Sequence, residues 1–461
     1  MDQQLEAGQG TTSDACRDVT GGTARRGWAR GRHAAPAPDG CYFPAKLRAL
    51  IQQRFPDLNG MFNAFADKRA SDDCLYTIAT LLWLVILGFL CRKGSRNAMD
   101  VDRNTGLAPA NLLMLSGQHR WPDGRPLTAP CTQTVTRFLD LLLPRHLEQV
   151  LVAVAHTLLR SKLLDDARFC GYVLIAIDGT KQESYRRWFA PWRRKYRYVL
   201  HAKIIGPDGT AFTVIAEPCD FYDSERGKLD CERAAFQRLA TRLKDAFPRY
   251  AICLLGDAQF ACEAVYDTCQ HNEWKFIFTF KEGSYSAVFA EVLNLLPLAH
   301  GQVFCIEKKD FRQDTRWVDN VAFGNRRLCV VLQGEVDGTK EYFCAWVTNW
   351  LIHKPERAAG IATAARWRSR IEESYNVQKN GGFGLEHAFR ETDRGAANYH
   401  LLMQLAHTFS QLLWKGWVRR ELSACRKLTD VCLAKLLAGA LNTHPPPIEP
   451  HPAFQLRFAD G

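Results

Sequence analysis

Two short apolar runs, each closed by an aspartate, constrain this chain more than any other feature. Tyr172-Val-Leu-Ile-Ala-Ile177 opens into Asp178-Gly-Thr180, and Ala251-Ile-Cys-Leu-Leu-Gly256 opens into Asp257-Ala-Gln-Phe-Ala-Cys262. Continuous apolar runs of this length, bounded by turn residues, read as core strands. A carboxylate then stands at the mouth of each strand. A third acidic residue, Glu372, lies in a helical pattern, Arg366-Trp-Arg-Ser-Arg-Ile-Glu-Glu-Ser-Tyr-Asn-Val-Gln-Lys379. Carboxylates delivered by two strands and a helix form an oxygen-only site suited to paired divalent metals.

The order of elements around these runs predicts how they meet. With 461 residues the chain is long enough for two or three domains. Residues 1–40 are rich in Gly, Ala, Thr and Arg, lack the apolar centre of a signal peptide and read as a disordered leader. From 41 to 166, apolar residues recur at three-to-four spacing and predict an all-α N-terminal domain. One segment of it, Cys74 to Cys91, has no charged residue over 18 positions, the lower limit for a membrane span. Its strongest apolar stretch, Leu81 to Leu90, is only half a span long, so a buried helix is expected and no membrane.

The texture then changes to strands at Tyr172–Ile177, Tyr198–Ile205 and Ala211–Ala216, a helix over Cys231–Phe247, a strand at Ala251–Leu255, a helix over Ala258–His271 and a strand at Lys275–Thr279. Three meandering strands followed by strand–helix–strand is the order of an α/β, RNase H-like sheet. There the first and fourth strands lie parallel about 4.8 Å apart. Asp178 and Asp257 would meet although 79 residues separate them. Four further strand-like runs between 284 and 350 interrupt this order and are expected to form an inserted β subdomain with its own sheet. The core would thus span 167–283 and 351–440, ahead of a Pro-rich, extended tail at 441–461.

A net charge of +11 favours a polyanionic partner, nucleic acid first and an anionic membrane surface second. The sixteen cysteines include no Cys-x2-Cys pair, which fits a reduced, cytosolic protein. No Gly-rich phosphate loop and no nucleophile elbow is present, which removes NTPase and serine-hydrolase readings. The stretch from Lys181 to Lys203 holds eight Lys or Arg, among them Arg193, Arg194 and Lys195, interleaved with aromatic residues. Cations for phosphates beside rings for unstacked bases suit DNA ends that must be opened.

The later helix adds specificity. Arg368, Glu372, Tyr375 and Lys379 fall at i, i+4, i+7 and i+11, within about 60° on one face, while Glu373 points roughly 100° away from Glu372. Gly381-Gly382 stops the helix just beyond Lys379, leaving a cationic end near the proposed metals. Asp230 and Glu232 are a rival carboxylate pair; an Asp favouring its helix N-terminus is the plainer reading, a structural or DNA-positioning role the other. A second Asp-Gly-Thr, at Asp337, follows Gly334-Glu-Val336 and is expected only to join two strands.

Taken together, these residues resemble the DDE transposases of bacterial insertion sequences, in the branch called insertion sequence family four. Its Tyr-x2-Arg-x3-Glu-x6-Lys signature reads Ala365, Arg368, Glu372, Lys379 here, with the spacing intact. Similar stretches are Lys228-Leu-Asp-Cys-Glu232, Phe280-Lys281, Val347-Thr-Asn349 and Gly382-Phe-Gly-Leu-Glu-His387, so the likeness runs from about Ser95 to Leu413. The resemblance implies a nucleoid-associated cytoplasmic enzyme in which Asp178, Asp257 and Glu372 hold two Mg²⁺ or Mn²⁺ ions. It further implies Arg368 and Lys379 near DNA phosphates, duplex DNA at element ends and targets as partners, and a homodimer assembled on DNA. Ala365 departs from the family's Tyr and puts one DNA contact in doubt. A nuclease of the same fold that cuts without joining, and a DNA-binding protein with a decayed site, stay open as alternatives.

Overall fold

A computed structural model of the chain describes residues 42–69, 74–118, 128–165, 167–183, 196–206, 208–219, 227–422, 427–445, 452–454 and 456–458. The leader at 1–40 and the cations Arg193, Arg194 and Lys195 lie outside these residues.

Among the described residues seven helices come first: α1 (Tyr42–Arg54), α2 (Leu58–Asn63), α3 (Ile78–Leu90), α4 (Arg96–Asp102), α5 (Ala108–Ser116), α6 (Thr132–Leu141) and α7 (Pro144–Arg160). Helix α3 is the uncharged segment, and all of its residues are buried. The Thr77 hydroxyl accepts from the Thr80 amide and caps it. Among the described residues no helix is long and apolar enough to cross a membrane.

The strands are β1 (Arg168–Phe169), β2 (Tyr172–Glu183), β3 (Tyr196–Ile205), β4 (Ala211–Cys219), β5 (Ile252–Gly256), β6 (Lys275–Thr279), β7 (Val303–Lys308), β8 (Phe311–Phe323), β9 (Arg326–Asp337) and β10 (Lys340–Thr348). They form one mixed ten-stranded sheet, ordered β4-β3-β2-β5-β6-β10-β9-β8-β7, with β1 beside β2. The β2–β5 and β5–β6 pairs are parallel, and the remaining pairs are antiparallel. Helices α8 (Gly227–Ala246), α9 (Glu263–His271), α10 (Ser286–Leu295), α11 (Pro355–Arg366), α12 (Ser369–Asn380) and α13 (Asp393–Leu413) complete the part that positions the site.

Three expectations need correction. First, the four strands between 303 and 348 do not make a sheet of their own. β10 pairs antiparallel with β6, Val347 opposite Phe278, and so extends the main sheet. Phe276, Phe278, Trp346 and Val347 are all buried there, so β6 needs that neighbour to cover its edge. Second, the N-terminal helices do not have a separate core. Trp83 of α3 stacks on Phe409 of α13, the Thr136 and Tyr399 hydroxyls share a 2.8 Å hydrogen bond, and Arg390 pairs with Asp140 at 2.6 Å. Third, Asp178 does not end its strand. β2 continues to Glu183, paired with β3 throughout.

Candidate carboxylate site

The β2–β5 ladder stops at Ala176 and Leu255. Asp178 and Asp257 each stand two residues further on, where β2 stays paired with β3 but its other edge opens. The apolar run therefore ends with the β5 partner, and the backbone pairing does not. This offset puts the two aspartates beside each other at an open sheet edge. Each has one oxygen fixed by main chain, since Gly179 N donates to Asp178 Oδ1 at 3.0 Å and Gln259 N donates to Asp257 Oδ1 at 3.0 Å. Asp257 thereby caps the short turn Ala258–Phe260, as a strand-end Asp commonly does.

Helix α12 lies across β2, β3 and β4. The helical pattern from 366 to 379 is in fact two helices, since α11 ends at Arg366 and Arg368 occupies the N-cap of α12. The i,i+4 relation survives the break, and Arg368 Nη2 lies 2.6 Å from Glu372 Oε1. Burial pushes the Asp178 carboxyl up from 3.8 to about 7; Arg368 opposes this, while Asp257 and Glu372 add to it. Asp178 is thus within electrostatic reach of both other carboxylates and of the guanidinium. Glu373 turns elsewhere: a methyl group at Gly209 would lie 3.7 Å from Glu373 Oε2 and 3.6 Å from Lys415 Nζ.

Lys379, in the last turn of α12, pairs with Glu386 at 3.0 Å. Ala365 is buried on α11, and Arg370 lies over the Trp367 ring at 4.2 Å. Lys203, one of the eight Lys or Arg of the 181–203 stretch, is fully buried; it donates to Ser374 Oγ at 2.9 Å and sits 4.4 Å from the Tyr375 ring centre. Burial lowers its ammonium to about 7, against the pull of Asp178. Glu232 is 2% exposed, and a methyl group at Gly179 would come to 3.0 Å from its Oε1, so a side chain there would press on this carboxylate.

Sequence reasoning missed the polar layer that attaches α12 to the sheet. Tyr375 Oη donates to the Asp178 carbonyl at 2.8 Å and also meets His201 Nδ1 at 3.0 Å. Gln378 and Gln404 exchange amide hydrogen bonds of 3.1 and 2.9 Å, and Thr213 donates to Gln404 at 2.8 Å. The signal was present in β3, where His201 and Lys203 occupy alternate positions of an otherwise apolar run.

Among the described residues, no group of three or more His, Cys, Asp or Glu side chains is already drawn in around one metal position. The Arg368 guanidinium supplies positive charge among the carboxylates, pairing with Glu372 and acting on Asp178. The donor set nonetheless fits a hard divalent cation: it is all carboxylate, Asp178 is raised to about 7 by burial with Asp257 and Glu372 adding to it, and two of its members are pre-oriented by backbone N–H groups. No protein-family model matches this chain, and no curated protein matches it in sequence.

Proposed function

We propose that this chain is a DNA transposase of the DDE type, built on an RNase H-like core, that cuts and rejoins the ends of its own mobile element. The observation that carries the reading is that Asp178 lies within electrostatic reach of Asp257, Glu372 and Arg368, the last two being paired with each other. The strand order β4-β3-β2-β5-β6, with only β3 antiparallel to β2 in its centre, supports the core assignment. The motifs shared with insertion-sequence transposases and the charge of +11 support a DNA substrate.

In this reading Asp178, Asp257 and Glu372 hold a pair of Mg²⁺ or Mn²⁺ ions. Bound there, the ions would supply Lewis acidity for activating a water and for stabilising the departing 3′ oxygen. Asp178 gives up its proton before it serves as a ligand. Arg368, released from Glu372, turns its five N–H donors toward a phosphate of the bound strand. The backbone N–H of Gly179 and of Gln259 keep the two aspartates from rotating as charge builds up. The 3′ hydroxyl freed by the first cut is the nucleophile for joining, so one site serves both steps.

The test uses the full chain, Mg²⁺ and DNA carrying the terminal inverted repeats that should flank the gene. The parent should nick at the element ends and join a pre-cut 3′ end to a second duplex. Asp178→Asn should bind the same DNA and do neither. Cutting without any joining would instead mark a nuclease, and binding without either step a decayed transposase.

A further inference from the structure

A file of buried hydrogen bonds leads from α13 to the main chain of Asp178. Gln182 Nε2 contacts His400 Nδ1, His400 Nε2 is 2.7 Å from His201 Nε2, His201 Nδ1 is 3.0 Å from Tyr375 Oη, and Tyr375 Oη is 2.8 Å from the Asp178 carbonyl. His201, His400 and Tyr375 are 0, 4 and 6% exposed, so water does not complete their bonding.

Counting protons fixes the direction of every bond. A carbonyl only accepts, so the single Tyr375 proton goes to Asp178. The Tyr375 oxygen then accepts from His201 Nδ1, which must carry hydrogen. A neutral imidazole has one N–H, which leaves His201 Nε2 bare to accept from His400 Nε2–H. His400 Nδ1 is bare in turn and accepts from the Gln182 amide. Burial and the neighbouring cation Lys203 keep both histidines neutral, and with neutral rings no other assignment satisfies all four bonds.

We propose that this one-way file is the positioning device of the site, with Tyr375 and His201 as positioning residues that set the distance between Asp178 and Glu372. The proposal rests on the two-metal reading above. Asp178 and Glu372 lie on separate elements, so only tertiary contacts determine their spacing. Helix α12 is short, broken from α11 at its start and stopped by glycines at its end. Tyr375 follows Glu372 by one helical turn and binds the backbone of Asp178 itself. Mg²⁺ accepts little error in ligand geometry, and sites of this kind need their ligands held within about 0.5 Å. A phenylalanine would fill the same volume; the hydroxyl is what ties α12 to the backbone of Asp178.

Tyr375→Phe keeps the ring and removes the tie. We expect Mg²⁺ affinity, read by calorimetry without DNA, and kcat for cleavage each to fall about 10–100-fold, with KM for DNA unchanged. Gln182→Met breaks the far end of the file at a half-buried position, and a smaller loss of Mg²⁺ affinity is expected from it. Ring ¹⁵N spectra of the metal-free parent should show His201 protonated at Nδ1 and His400 at Nε2. Parent-like Mg²⁺ affinity in both variants, or His201 protonated at Nε2, overturns the proposal. A parent that neither binds Mg²⁺ nor cuts DNA defeats the two-metal reading, and the ring spectra then still decide whether the file exists.

Discussion

The guanidinium of Arg368 lies 2.6 Å from Glu372 Oε1 and also acts on Asp178, so one cation balances two of the three clustered carboxylates. A divalent ion entering this site competes with that guanidinium. Arg368→Ala should therefore bind Mg²⁺ more tightly than the parent, measured by calorimetry. On the proposed function its cleavage rate at saturating Mg²⁺ should fall about 100-fold, because the charged donor proposed for the phosphate is gone. A variant with weaker Mg²⁺ binding would mean that Arg368 supports the site and does not compete for it.

The Asp178 carboxyl, raised from 3.8 to about 7, makes the site pH-dependent. The folded chain holds this proton more tightly than the unfolded chain. Its contribution to stability is complete below about pH 4 and is lost as pH rises through about 7. In chelated buffer, Asp178→Asn should melt higher than the parent at pH 8, with the gain shrinking toward pH 5. Added Mg²⁺ should restore the parent at pH 8 and leave the variant unmoved. Cleavage should rise with pH, with a midpoint that moves below 7 as Mg²⁺ is raised.

The parts of this fold that were legible in the sequence are those where burial follows chain order. The runs 172–177 and 251–256 are apolar because both faces are covered, and the parallel neighbours β2 and β5 follow from their place in the order of elements. The continuation of β2 past Asp178 was not legible. Its residues face an open edge on one side, and their polarity looks like a loop. Nor was the β6–β10 pairing, because a run such as Tyr342–Thr348 does not say which strand will cover it. The break at Trp367 was hidden because α11 and α12 keep nearly the same apolar phase. Glu372 was separable from Glu373 by angle alone, whereas the tie from Tyr375 to Asp178 depends on a tertiary approach that no spacing encodes.

The continuous sheet makes a prediction about residues 284–349. Val330, Val331 and Leu332 of β9 and Trp346 and Val347 of β10 are buried, and Arg366 on α11 reaches back to Glu335 at 2.6 Å. Replacing the block with a short Gly/Ser linker would expose the β6 edge and its phenylalanines. The shortened chain should be insoluble or elute as aggregate in size-exclusion chromatography. A soluble product with a cooperative melt near the parent's would show instead that the block is an independent unit.

Two adjacent glutamates on α12 separate chemistry from surface charge. Glu372 acts on Asp178 and pairs with Arg368, whereas Glu373 sits toward Gly209 and Lys415 and opposes the lowering that burial imposes on Arg370. The substitution Glu→Gln keeps the shape and removes one negative charge. On the two-metal reading, the change at 372 takes away an Mg²⁺ ligand, and the loss should fall on cutting and joining alike, since one site would serve both. Binding to element-end DNA should persist or tighten slightly, because one repulsive charge is gone. At 373 the same change breaks only a half-exposed electrostatic contact, worth about 0.2–1 kcal/mol, so the melt should shift little and both activities should survive. Parallel assays of Glu372→Gln and Glu373→Gln for Mg²⁺-dependent nicking and strand joining give the comparison. Equal activity in the two variants would remove Glu372 from the metal site and leave Asp178 and Asp257 without a third carboxylate.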